Sequence, residues 1–250
     1  MPNNNLITQM IYRIITCCVS ALAVLLTCRI FYAGQPLPLT WDFLKFYTNL
    51  SNYVVFVVSV IVLADNVKRV YAGERKGYNK KIRTFKFMTT FAILLTFLVY
   101  LFLLGRVWTA QFWRDIANLC LHVFAPLLFI FDYLLFDEKK SVSVYAPLLS
   151  LIMPVVYLAV ILIIGAIFKD FKYPYFFLNV HEIGYGGVAL WVSGLLVVFT
   201  GLGYLLWLYN RRVKVDGKYK LDLKDINWLH RPDPPSEHNE KNDESDNYAA

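Results

Sequence analysis

The stretch Asn118–Asp137, NLCLHVFAPLLFIFDYLLFD, decides how the rest of the chain is read. It is apolar enough to sit in a bilayer as a helix, yet it carries His122 near its start and Asp132 near its end. On insertion scales an aspartate at mid-span costs roughly 2.5–3.5 kcal/mol, so such a group usually faces a bundle interior and often marks a site. Working outward, the apolar residues of the whole chain fall in blocks of about 20, the length a helix needs to cross a ~30 Å hydrocarbon core. With 58% hydrophobic residues and 17% charged, the composition departs from that of a soluble domain, in which about a quarter of the residues are charged. The mean hydropathy of +0.47 agrees. Long apolar blocks without strict alternation argue against a β-barrel.

The expected fold is therefore all-α, a polytopic six-helix transmembrane bundle. Its spans fall at about 10–32, 43–64, 86–105, 119–136, 145–168 and 187–209. The first block is too long for a cleaved signal peptide and no small-x-small site follows it. Arg13 and Arg29 bracket its core and are placed to snorkel to opposite interfaces.

The net charge of +7 is not a nucleic-acid signal, because it is concentrated between the second and third spans. Lys68, Arg69, Arg75, Lys76, Lys80, Lys81, Arg83 and Lys86 lie in that loop and its flanks, and Arg211, Arg212 and Lys214 follow the sixth span. The opposite loops are poorer in charge. The positive-inside rule then puts both termini in the cytoplasm and the chain in the cell membrane. Cys17, Cys18, Cys28 and Cys120 lack zinc-ligand spacing and suggest no disulfide framework. His181-Glu182 lacks the second histidine of a zinc-protease helix, so no metal or other cofactor is expected.

Three regions are expected. Residues 1–210 form the membrane domain. Residues 211–229 form a juxtamembrane segment in which Val213, Val215, Tyr219, Leu221 and Leu223 alternate around Asp216-Gly217, either a hairpin or a disordered basic strip. Residues 230–250 are acidic, proline-broken and almost without apolar side chains, the composition of a disordered tail.

The second span opens KFYTNLSNYVVFVVSV, which places Thr48, Ser51, Asn52, Val55 and Ser59 on one helical stripe. Such residues often do no more than bond to their own helix or join two helices. Topology offers a second reading. The second and fourth spans run in the same direction, and Thr48 and His122 each lie ~5 Å inside the same end of the apolar zone. A hydroxyl and an imidazole at matched depth can meet if the two helices are neighbours. Asp132 is ~15 Å deeper than His122 along its helix, so it cannot be a simple third member of that group. A structural role near the cytoplasmic interface is expected for it, solvated or paired with a basic loop residue. Pro126 lies between the two and is placed to kink the helix and re-aim His122. Residues 168–187, FKDFKYPYFFLNVHEIGYGG, are expected to form a structured loop on the bundle mouth, although tyrosines there are also routine interface anchors.

FYTNLSN at 46–52, HVFAPLLFIFDYLLFD at 122–137, PVVYLAVILIIGAI at 154–167 and YPYFFLNVHEIGYGGV at 173–188 together resemble the bacterial Pr-six-Pr family of six-span integral membrane proteins. That family looks distantly similar to the animal androgen-induced and androgen-dependent TFPI-regulating membrane proteins, threonine hydrolases that cleave fatty acid esters of hydroxy fatty acids. The resemblance implies that Thr48 is a nucleophile and His122 its general base, acting on a lipid ester near the outer leaflet. Ser51 stands where the family's Asn would follow Thr48, with Asn52 next. Asn49 or Asn52 would donate to the oxyanion, and Asn118 would orient the imidazole. Arg29 and Arg106 end spans on the outer side, as snorkelling anchors or as partners for a substrate carboxylate. The expected function is an intramembrane lipid-ester hydrolase. The alternative is a non-enzymatic protein that uses the same polar pocket to bind a lipid or small amphiphile. In both cases the partners are membrane lipids, not nucleic acid.

Overall fold

Six helices long and apolar enough to cross a membrane span Leu6–Thr27, Tyr47–Ala72, Lys80–Leu104, Ile116–Phe136, Ala146–Ile167 and Val180–Arg211. The computed structural model describes residues 6–27, 44–72, 79–104, 115–138 and 142–212. The expected juxtamembrane hairpin and acidic tail, from residue 213 on, lie outside the described residues, as do Cys28, Arg29 and Arg106.

The polar contacts between helices fix their directions. At one end, Leu6 of the first span packs on Val70 of the second. At the same end Lys86, early in the third span, reaches Asp132 and Asp137 at the close of the fourth. At the other end, Asn52 of the second span donates to the Leu121 carbonyl of the fourth at 3.1 Å. There too, Tyr100 of the third span stacks on His122 of the fourth, ring centroids 3.7 Å apart. The first four spans thus alternate in direction, and the second and fourth are neighbours, which sequence alone left open.

Packing divides the bundle. In the third and fourth spans about half of the apolar window is buried, 50% and 56%, against 17% and 11% in the fifth and sixth. The last two helices therefore leave most of their surface exposed. The main apolar cluster is built by Phe87, Phe91 and Leu95 of the third span with Tyr133, Ala146, Tyr157, Ile161, Val188 and Leu206. Gly203 lets the sixth span approach closely. A Cβ there would lie 3.2 Å from Pro147 Cβ and 3.3 Å from Phe91 Cε2.

Several helices differ from their expected bounds, the first and third by starting early, at Leu6 and Lys80. The second continues past its apolar zone to Ala72, where Arg69 pairs with Asp65 one turn earlier at 2.9 Å. The sixth begins at Val180, and its first turn is set off from the rest at Gly184, with φ 67° and ψ 170°. A backbone of that kind favours glycine because a side chain would meet its own peptide.

The first span corrects an expectation. Arg13 does not snorkel to an interface. It is buried, 2% exposed, and its Nε donates to Asp132 Oδ1 at 3.0 Å. Lys86 Nζ, wholly buried, bonds both Asp132 and Asp137, the latter at 2.5 Å. Arg13 Nη2 lies 3.6 Å from Asp137 Oδ1. Asp132 is thus paired and dry rather than solvated. One partner flanks the basic loop and the other belongs to the first span. Two cations and two carboxylates interlock the first, third and fourth spans with no net charge, the condition under which buried charge is tolerated in a membrane. Arg83 and Glu138 add a half-buried pair beside them at 2.6 Å.

Candidate functional site

The second span starts where the Phe46 carbonyl accepts from the Asn49 and Leu50 amides, at 3.1 and 3.3 Å. This sets Thr48 in the first turn, and Thr48, Asn49, Ser51 and Asn52 are all buried. Ser51 Oγ donates to the Thr48 carbonyl at 3.0 Å and meets Thr96 Oγ1 of the third span at 2.7 Å. Asn52 Nδ2 is shared between the Thr48 carbonyl, 2.8 Å, and the Leu121 carbonyl, 3.1 Å. The stripe therefore does join helices. The same bonds fix Thr48 beside the third and fourth spans.

His122 sits in a local π-helical turn, Cys120–Phe124, where the Ala125 amide reaches the Cys120 carbonyl five residues back. Pro126 has no amide to give the His122 carbonyl four residues earlier, so a wider turn at this point is physically expected. The His122 ring uses Nδ1 on the Asn118 carbonyl, 3.1 Å, and lies against the Tyr100 ring. Tyr100 itself opens a second π-helical turn, Tyr100–Leu104. The Asn118 side chain turns away, donating to Asp115 Oδ2 at 2.7 Å, while Asp115 Oδ1 caps the helix through the Asn118 amide at 3.1 Å. What touches His122 from Asn118 is its main chain.

Thr48 lines a cavity of about 70 Å³, whose polar walls are Tyr47, Thr96, Tyr100, Tyr157 and Tyr175 together with Thr48 itself. Tyr175 comes from the loop before the sixth span, held by a 3-10 turn at Phe176–Leu178 and by its ring stacked on Phe177. Its ring lines the same cavity as Thr48, and burial raises its pKa, so it stays a neutral phenol. Tyr157 donates to the Lys45 carbonyl at 2.7 Å. The Tyr47 hydroxyl is buried and has no hydrogen-bond partner among the described residues. Tyr100 is the shared neighbour of the two halves: it lines the Thr48 cavity and stacks on His122.

Beyond the cavity lies a groove of about 740 Å³ between the third and sixth spans, walled by apolar side chains from Leu98 to Leu103 and from Leu190 to Leu202, with Gly194 between. Val99, Leu195 and Phe199 belong to both spaces. Phe102 and Leu190, at 75% and 77% exposure, form a rim that faces the lipid zone. Its volume falls in the range of about 300–1,000 Å³ typical of small-molecule sites.

The structure thus brings Thr48 and Asn52 together with the third and fourth spans, and Asn49 is buried in the same first turn of the second. His122 meets the cavity through Tyr100 and not as a lining residue. Sequence reasoning missed Tyr47, Tyr100, Tyr157 and the groove. Tyr47 and Tyr100 had a signal, since both lie near span ends, but interface anchoring explained each taken singly, and Tyr157, inside the fifth span, had none. The groove had none, since apolar residues on a lipid-facing helix look alike whether or not a neighbour stands close.

No family model matches the chain, and no curated protein or solved structure matches it. The likeness to the Pr-six-Pr family rests on its four sequence motifs alone. Fold and composition together define a six-span, multi-pass integral membrane protein of all-α architecture.

Proposed function

We propose that this protein is a non-enzymatic membrane protein that binds a lipid or small amphiphile from the bilayer. The alkyl chain lies in the groove between the third and sixth spans, and the polar end reaches the hydroxyl-lined cavity at Thr48. One observation carries the reading: the apolar groove and the polar cavity share Val99, Leu195 and Phe199, so a ligand with one apolar and one polar end fits both at once. Bilayer lipid is the molecule that a groove open at this depth meets. With the positive-inside orientation, both termini are cytoplasmic and the site opens to the outer leaflet. Purified protein washed in short-chain detergent should bind a radiolabelled alkyl amphiphile saturably, near one per chain. Uptake that rises linearly with concentration and never saturates would remove the basis for a site.

The intramembrane hydrolase is the finer reading of the same place. Thr48 buried on the cavity wall, with an imidazole one ring away, favours it. Attack by Thr48 Oγ on an ester carbonyl requires a base within about 2.6–3.2 Å, directly or through one water. In the hydrolase reading Tyr100 therefore moves aside, or water bridges, so that His122 can take the proton. A fluorophosphonate probe distinguishes the two. The binding reading predicts no covalent label above that of Thr48→Ala. Labelling lost in both Thr48→Ala and His122→Ala would establish the hydrolase instead.

A further inference from the structure

The polar chemistry of the cavity selects among amphiphiles, an inference that rests on the binding reading above. We propose that the ligand is a single-chain lipid with a small, uncharged, hydroxyl- or carbonyl-bearing head, such as a long-chain alcohol or a monoacylglycerol, and that the Tyr47 hydroxyl is the group that recognises it.

Three observations converge on this class. The polar walls are four phenols and two threonine hydroxyls, and among the described residues no Lys, Arg, His, Asp or Glu lines the cavity. An ionised carboxylate or phosphate moved there would lose its hydration without gaining a counter-charge, which costs far more than moving a neutral hydroxyl that finds a hydrogen bond. The nearest described cation on this loop, Lys45, has its ammonium over the Phe46 and Phe171 rings, 5.9 and 5.6 Å from their centroids. Second, about 70 Å³ holds a few waters or a head of a few heavy atoms, not a phosphocholine or a sugar ring.

Third, the cavity offers a specific bond. Thr96 is engaged by Ser51 and Tyr157 by the Lys45 carbonyl. The Tyr47 hydroxyl, on a residue only 9% exposed, is buried without a partner among the described residues. A buried polar group left unbonded is costly, and a phenol both donates and accepts, so a ligand hydroxyl or ester carbonyl completes it once a small shift of the Tyr47 ring brings the two within reach. The Tyr47 ring is held for the purpose, edge-on to Tyr157 with centroids 5.3 Å apart.

The test is a competition series of equal chain length against a bound photoreactive alkyl amphiphile, using the full chain in detergent. The competitors are oleyl alcohol, monooleoylglycerol, oleate at pH 9 and oleoyl-lysophosphatidylcholine. The alcohol and the monoacylglycerol should compete at least tenfold better than oleate or the lysophospholipid. Tyr47→Phe should weaken both neutral ligands by about tenfold, the worth of one hydrogen bond, while leaving the unliganded protein as stable as before or more so. If all four compete equally, or the charged lipids compete better, or Tyr47→Phe leaves the neutral affinities unchanged, the head-group inference is wrong while the binding site stands. If none of the four displaces the probe, the binding site itself is refuted. Should Tyr47→Phe fail to fold, the ranking of the four lipids on the wild-type protein decides alone.

Discussion

Replacing Lys86 by methionine is expected to destabilise the bundle by about 3–5 kcal/mol. The side chain is wholly buried and bonds Asp132 and Asp137 together. Without it, Arg13 faces two carboxylates, and a net negative charge remains in a dry interior. The loss should appear as a lower temperature of aggregation in detergent and as poor recovery of monodisperse protein. Methionine keeps most of the side chain's length, so a cavity does not explain the loss. Balance rather than any single bond is the proposed cause, and a second substitution checks it. Adding Asp137→Asn to Lys86→Met leaves Arg13 and Asp132, 3.0 Å apart, as one complete pair. The double variant should recover much of what the single one lost. A double variant that falls by the sum of the two single losses would show that the charges act independently, against the interlocked network described for the first, third and fourth spans.

The second large effect concerns the groove. Gly194 stands on its wall, and a Cβ added there meets nothing within 4 Å. A tryptophan at this position can project into the groove without disturbing a neighbour. It also removes a glycine from a helix interior, which by itself favours the helix by up to about 1 kcal/mol. Gly194→Trp is therefore expected to keep or raise stability while lowering amphiphile affinity by more than tenfold. Gly201 provides the control. It lies in the same helix, a Cβ there also meets open space, and it does not line the groove. Gly201→Trp should leave binding unchanged. Stability and binding move in opposite directions only if the groove is the site.

Much of this architecture was legible in the sequence. Six apolar blocks give six helices, because backbone polar groups in hydrocarbon must be satisfied within each segment. Helix ends were less legible. The second helix outruns its apolar zone because Asp65 and Arg69 sustain another turn, and the sixth begins early because Gly184 permits an initial turn at a different angle. Matched depth predicted that Thr48 and His122 occupy one layer, and Asn52 bonding to Leu121 makes their helices neighbours. Depth could not show that Tyr100 occupies the face of His122, since that contact depends on how two π-helical turns rotate their side chains. Arg13 was misread for a similar reason. In a linear sequence an arginine four residues inside a span looks like a snorkelling anchor. Only the packing of three helices reveals that Asp132 and Asp137 await it.

The most direct measurement for the binding account is mapped photolabelling. Purified protein is irradiated with a long-chain alcohol carrying a diazirine at mid-chain, and the modified residues are located by mass spectrometry. The account predicts adducts concentrated on groove-lining residues such as Leu98, Phe102, Leu190, Trp191, Val198 and Leu202, suppressed by excess oleyl alcohol and by Gly194→Trp but not by Gly201→Trp. Labels scattered over the lipid-facing surfaces of all six helices, unchanged by competitor and by Gly194→Trp, would contradict it.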